Sequence, residues 1–66
     1  MKSYSSREVI KVIMSDGWYL HKVSGDHYQF LHRLKPGKVT IQHPKKDLRL
    51  DNLKSIEKQA GVKFGG

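Results

Sequence analysis

The stretch Gly25-Asp26-His27-Tyr28-Gln29-Phe30 marks the point where two predicted strands meet in a hairpin. Gly25 can supply the positive φ angle that a tight hairpin turn requires. Beyond the turn, the two aromatic residues alternate with His27 and Gln29, so the two pairs face opposite sides of the sheet. The stretch therefore predicts a sheet with an aromatic face packed on the core and an open, polar face that carries His27.

The hairpin joins two predicted strands, and a third predicted strand follows it. Residues 18–24 are rich in strand-forming side chains, and residues 27–33 make the second predicted strand. A turn at Pro36-Gly37 leads to a third strand at residues 38–42. Trp18 is expected in the core, where it follows the first helix. Alternation directs the following residues to the core face: Tyr28, Phe30, Val39 and Ile41. The corresponding residues of the open face are His27, Gln29, Lys38 and Thr40.

A helix is predicted on either side of the strands. Ser5 to Glu8 fits a capping box, and Asp16-Gly17 is typical of a helix end. Either Asp51 or Asn52 is expected to cap the second helix, which ends at Gly61. The expected apolar stripes are Val9, Ile10, Ile13 and Met14 in the first helix, and Leu50, Leu53, Ile56 and Ala60 in the second.

The order of these elements predicts an α+β fold, α-β-β-β-α, in a single domain over residues 1–66. Its simplest packing is a three-stranded antiparallel sheet with both helices on one face. The tail, residues 62–66, is expected to fray, although Phe64 can dock on the domain.

Composition restricts the class of protein. The chain has no cysteine, which excludes disulfides, zinc–thiolate sites and thiol nucleophiles. No apolar run approaches the roughly 20 residues that cross a bilayer, and no signal peptide is recognisable, so a cytoplasmic protein is expected.

The formal charge is +7, from 13 basic and 6 acidic residues. Residues 22–49 hold seven basic and two acidic side chains, a balance of +5. This excess favours an anionic partner, with nucleic acid first, although a solubilising surface is the commoner explanation.

Histidines are the candidate chemical groups. The four histidines lack the spacings of a metal site, and neither a metal nor another cofactor is expected. Imidazole can exchange a proton near neutral pH, and RNA cleavage needs such a group together with cations that offset charge on phosphorus. His27 is the candidate, although for the residues alone an ordinary surface histidine is the commoner outcome. His21 and His32 are predicted to lie at sheet edges without a role. The candidate RNA-binding residues are Lys22, Lys38, His43, Lys45 and Lys46.

Several short motifs occur in an order and spacing that resemble a known family. They are Asp16-Gly17-Trp18, the hairpin stretch from Gly25 to Phe30, Val39-Thr40-Ile41, His43-Pro44-Lys45-Lys46-Asp47-Leu48, Leu53-Lys54-Ser55-Ile56 and Lys58-Gln59-Ala60-Gly61. From residue 5 to about residue 62, the chain resembles the HicA-type toxins, the mRNA interferases of HicAB toxin–antitoxin modules.

The resemblance carries specific expectations. It implies a double-stranded-RNA-binding-domain-like fold and metal-independent cleavage of mRNA without the ribosome. The catalytic histidine of the family falls on His27, and the glycine before it falls on Gly25. It also implies a HicB-type antitoxin as partner, with the toxin monomeric alone and hetero-oligomeric with its antitoxin. One departure stands out, because the family usually has serine where this chain has Asp26. That carboxylate either adds negative charge beside the phosphate or orients the imidazole.

Two other functions remain open from the sequence. The first is an RNA-binding module of the same fold that does not cleave. The second is an adaptor that binds protein only. RNA affinity that falls steeply with salt would favour the first over the second, because phosphate contacts release counterions.

Overall fold

A computed structural model describes residues 3–64 of the chain. The sequence forms five elements, which are α1 (Ser6–Ser15), β1 (Tyr19–Ser24), β2 (His27–Leu31), β3 (Val39–Gln42) and α2 (Leu50–Ala60). The strands make one antiparallel sheet in the order β1-β2-β3. The predicted α+β fold and its α-β-β-β-α order are therefore confirmed. The second and third strands are shorter than expected, and they leave Arg33 and Lys38 outside the sheet.

One apolar core joins the sheet to both helices. Trp18 lies in it as predicted, and its indole N–H donates to the carbonyl of Ala60 at 3.1 Å. This bond ties the start of β1 to the last turn of α2. Both helices lie on the same face of the sheet, because their buried side chains join those of β2 and β3 in a single cluster. The cluster consists of Val9, Ile13, Trp18, Phe30, Val39, Ile41, Leu48, Leu53, Ile56 and Ala60.

The start of α1 matches the prediction, whereas the start of α2 does not. Ser5 and Glu8 form the capping box, with each side chain accepting from the other backbone N–H. In α2 the N-cap is Arg49, which makes no side-chain capping bond. The predicted caps Asp51 and Asn52 are therefore wrong. The reason is tertiary, because the buried Leu48 pairs with Tyr4 in an isolated bridge and the helix begins two residues later.

Each of the two predicted apolar stripes contains one residue that is exposed. Leu50 is half-exposed, because Leu48 already occupies the core position at this end of the helix. Met14 is half-exposed too, since α1 packs through Val9 and Ile13 near the middle of the element. The remaining predicted members of the stripes are buried or partly buried against the core.

The C-terminal tail is held as far as it is described. Phe64 packs on Tyr4 with ring centroids 5.7 Å apart, and its N–H donates to the Glu57 carboxylate at 2.6 Å. Val62 also packs on the core. Phe64 thus docks on the domain, as the sequence analysis allowed, while residues 65 and 66 lie outside the described part.

His32 has a structural role that the sequence did not predict. Its Nδ1 accepts from the backbone N–H groups of Leu34 and Lys35, so Nε2 is the protonated nitrogen and donates to the Asp16 carbonyl at 2.8 Å. Its ring also packs edge-on against Trp18. This side chain, only 7% exposed, fastens the β2–β3 loop to the end of α1.

Gly17 sits against this histidine, and its replacement tests the contact. Gly17 has φ +109°, and a Cβ there would lie 2.7 Å from His32 Nε2. Gly37 also has a positive φ, +80°, but a Cβ would meet nothing within 4 Å. Both Gly→Ala variants bear the backbone strain, and only Gly17→Ala also breaks the His32 bond. We expect Gly17→Ala to lower the free energy of unfolding by about 1 kcal/mol more than Gly37→Ala, in urea titrations. Equal losses would contradict the contact.

Candidate active site

His27 is the first residue of β2 and lies on the open face of the sheet. It pairs with Ser24 of β1 and Gln42 of β3. The alternation of β2 holds as predicted, with Phe30 buried on the core face and His27 exposed on the other. A register shift does occur, but it lies between Leu20 and Lys22 in β1 and leaves the orientation of β2 unchanged. The imidazole is 61% exposed and therefore accessible to a ligand.

Asp26 lies beside this imidazole and is itself held in place. One carboxylate oxygen lies 3.5 Å from His27 Nδ1, and the other accepts from Gln42 Nε2 at 2.8 Å. Its backbone carbonyl accepts from the N–H of His43 at 2.8 Å. The hydrogen bond from Gln42, more than the charges of His27 and Lys45, holds the pKa of the Asp26 carboxyl below its ordinary value of 3.8, against some desolvation. The carboxylate is therefore ionised at neutral pH.

The turn between Ser24 and His27 consists of Gly25 and Asp26 alone. Gly25 has φ +59° as the sequence predicts, and positive φ angles in the described chain are confined to glycines. This pattern, with the first turn residue alone at positive φ, is typical of a type II′ hairpin turn. The tight turn sets Asp26 directly before His27 at the end of the sheet.

A polar groove begins at His27 and runs between the open face and α2. It encloses about 240 Å³, and the buried side chains of Leu48 and Ile56 contribute to its lining. Gln59 Oε1 accepts from the backbone N–H of Thr40 at 3.4 Å, so α2 covers the edge of β3 and forms one wall. The polar lining consists of His27, Thr40, Gln42, Asn52, Ser55 and Gln59.

The structure separates the two predicted RNA-binding lysines of the sheet region. Lys22 pairs with Gln29, which shares the open face with His27 two residues away. Lys38 precedes Val39, at the end of β3 opposite to the His27–Gln42 pair. At about 3.3 Å per residue, the position of Lys38 lies roughly 10–13 Å from the His27–Gln42 pair along the strands. Lys22 is thus the nearer of the two to the imidazole.

The three predicted residues of the connector after β3 lie at the start of α1. Ser6, which is buried, binds His43 Nδ1 through its Oγ at 2.7 Å, and both its backbone and its side chain bond the backbone of Lys45. The His43 ring packs edge-on against Tyr28. These contacts give His43 a structural role in the loop before Pro44. Arg7, His43, Lys45 and Lys46 line a shallow basic depression here.

Several residues of these two surfaces were missed from the sequence. Arg7 was not predicted as an RNA-binding residue, although it joins the connector lysines. Asn52, Ser55 and Gln59 were not predicted as site residues, although they recur at i, i+3 and i+7 on α2 and are uncharged among charged neighbours. That spacing was a usable signal of one polar helix face.

No three histidine or acidic side chains among residues 3–64 are grouped so that they could hold a metal ion. None of the helices described is long and apolar enough to span a membrane.

The fold and the exposed histidine define a small basic α+β domain with a polar groove at the open face of its sheet. Residues 6–62, most of the chain, match the family model described as HicA toxin of bacterial toxin-antitoxin. The chain therefore belongs to the HicA toxin family, and it has the toxin role of a toxin–antitoxin system. No curated protein matches the chain.

Proposed function

We propose that this toxin is a metal-independent endoribonuclease that cleaves mRNA in the cytoplasm and so arrests translation and growth. The observation that carries the proposal is the position of His27, exposed on the open face with a carboxylate beside Nδ1 and a polar groove next to it. Membership of the HicA family supports it, since the family's catalytic histidine corresponds to this residue.

The reaction needs few groups. The ribose 2′-oxygen attacks the adjacent phosphorus, the bond to the 5′-oxygen breaks, and a 2′,3′-cyclic phosphate and a 5′-hydroxyl result. His27 acts as the base that takes the 2′ proton or as the acid that protonates the leaving oxygen, and His43, a lysine or water carries the other proton. Lys22 of β1 and Lys45 of the connector supply the cations that offset the charge on phosphorus. Lys38, His43 and Lys46 contact the RNA backbone farther from the bond that breaks.

Asp26 is a positioning residue in this scheme. Its carboxylate is fixed by Gln42 and lies near Nδ1, which favours the Nδ1–H tautomer and leaves Nε2 for the substrate. The chain has this acid where the family usually has serine. We expect orientation of the imidazole to be the stronger of its two possible effects, because Gln42 holds the carboxylate beside Nδ1.

Replacement of Asp26 by serine separates these effects. We expect Asp26→Ser to lower kcat roughly 2- to 5-fold with little change in KM, because contacts between exposed charged groups are weak. Asp26→Asn, which removes the charge but keeps an oxygen acceptor, should retain more of the rate than Asp26→Ser. A rise in kcat, or a fall in KM, for Asp26→Ser would show that charge repulsion dominates instead.

The proposed partner is a HicB-type antitoxin that covers the open face. A toxin surface with a formal excess of basic residues is complementary to an acidic partner. Co-expression of such an antitoxin should restore growth, and the isolated complex should be unable to cleave RNA.

Cleavage by the purified chain tests the function directly. A labelled mRNA should be cut in the presence of excess EDTA and without ribosomes, and expression of the chain should stop growth. Intact RNA that is nevertheless bound, with affinity that falls with salt, would indicate the RNA-binding module of the same fold. Cleavage that EDTA abolishes would refute metal independence.

A further inference from the structure

The groove next to His27 differs in charge from the rest of the molecule. The chain carries 13 lysine and arginine residues, yet none of those within residues 3–64 lines this groove. Lysine and arginine side chains dominate the affinity for phosphates, whereas asparagine and glutamine can pair with the edge of adenine. A neutral groove beside the candidate catalytic histidine therefore suits the uncharged part of a nucleotide.

The hydrogen bonds within the groove leave a defined set of groups for a ligand. Gln42 donates its amide to Asp26, so its Oε1 remains as an acceptor. Gln59 donates to Ser55 Oγ and accepts from Thr40, so the Ser55 hydroxyl proton remains as a donor. Asn52 has no hydrogen bond within the described residues, so its whole amide is available.

The size of the groove agrees with a single planar ring. Its volume of about 240 Å³ is below the ~300–1,000 Å³ typical of sites for drug-sized ligands. Apolar side chains, Leu48 and Ile56, lie among the polar groups and offer a surface to a ring. Single-stranded RNA is commonly read in this way, through unstacked bases hydrogen-bonded at their edges.

We propose that this groove binds the nucleobase next to the bond that is cleaved, and that Asn52 reads its edge. The inference rests on the proposed endoribonuclease function and deepens it, because it assigns the choice of cleavage site to the toxin. Asn52 offers a donor and an acceptor together, which is the arrangement that pairs with an adenine edge.

The first test compares cleavage at different bases. A set of short RNAs that differ only at the base beside the cleaved bond gives the ratio of kcat/KM between the best and the worst substrate. For Asn52→Ala we expect that ratio to fall by about 5- to 150-fold, as for loss of one bidentate base contact. Gln29→Ala is the matched control, since Gln29 shares the open face but does not line the groove. An unchanged ratio for Asn52→Ala, or an equal fall in both variants, would overturn the proposal.

The second test does not depend on cleavage. The same oligonucleotides made with 2′-O-methyl riboses lack the attacking hydroxyl, and NMR can follow the side-chain amides of Asn52 and Gln59 as they are added. We expect base-dependent affinity with shifts of both amides. Shifts confined to residues outside the groove, with equal affinity for all four bases, would refute the base site. Base-dependent binding by a chain that fails to cleave would retain the site and reject the endoribonuclease.

Discussion

Replacement of His27 by alanine is expected to abolish RNA cleavage and growth arrest while the fold remains intact. General acid–base catalysis typically contributes 10²- to 10⁴-fold to a rate, so the cleavage rate constant should fall by about that factor. The side chain is 61% exposed, and surface substitutions of this kind usually change the free energy of unfolding by about 0.5 kcal/mol or less. Circular dichroism should therefore show an unaltered spectrum.

A matched control separates this histidine from histidines in general. His21 is also exposed, in the irregular part of β1 where the register shifts. His21→Ala should cleave RNA at the parent's rate. Binding of RNA by His27→Ala, measured over a range of salt concentrations, should persist because the lysines remain. Cleavage by His27→Ala at the parent's rate would remove His27 from the mechanism.

Loss of the Trp18 side chain is expected to have the largest effect on stability. The indole is buried, donates to the Ala60 carbonyl and packs against His32. Trp→Ala substitutions in cores cost about 3–5 kcal/mol. At roughly 0.05–0.15 kcal/mol per residue, a chain of 66 residues has only about 3–10 kcal/mol of stability. We therefore expect Trp18→Ala to be largely unfolded, or to unfold at much lower urea.

Unfolding should be followed by circular dichroism and not by tryptophan fluorescence, because Trp18 is the only tryptophan of the chain and the Trp18 variants lack it. Tyr19→Ala is the neighbouring control, since Tyr19 is exposed on the edge strand and should cost far less. Trp18→Phe keeps a ring in the core and should fall between the two. A similar midpoint for Trp18→Ala and Tyr19→Ala would contradict the assignment of Trp18 to the core.

The sequence allowed the fold to be predicted because its local signals agree with its tertiary packing. The alternation of Tyr28 and Phe30 with His27 identifies the two faces of β2, and Ser5 with Glu8 marks the start of α1. These signals involve residues a few positions apart, so they can be read without knowledge of what packs where.

The errors concern features that depend on residues far apart in the chain. The start of α2 follows from the pairing of Leu48 with Tyr4, which precedes α1 in the chain. His32 appeared to be an edge residue because its contacts with Asp16 and Trp18 form only once the chain is folded. The groove combines β3 and α2 in the same way, so no single stretch of sequence revealed it.

The buried Ser6 has a consequence for how the candidate active site is assembled. It joins the first turn of α1 to His43 and Lys45, and the His43 N–H in turn holds the carbonyl of Asp26. These partners lie 37 and 39 residues away in the chain, so the contacts form only after the sheet and its connector are in place. The turn that orients His27 is thus completed by the first helix of the chain. On the proposed function, His27 has its ordered surroundings only in the native state, so RNA cleavage should require the fully folded molecule.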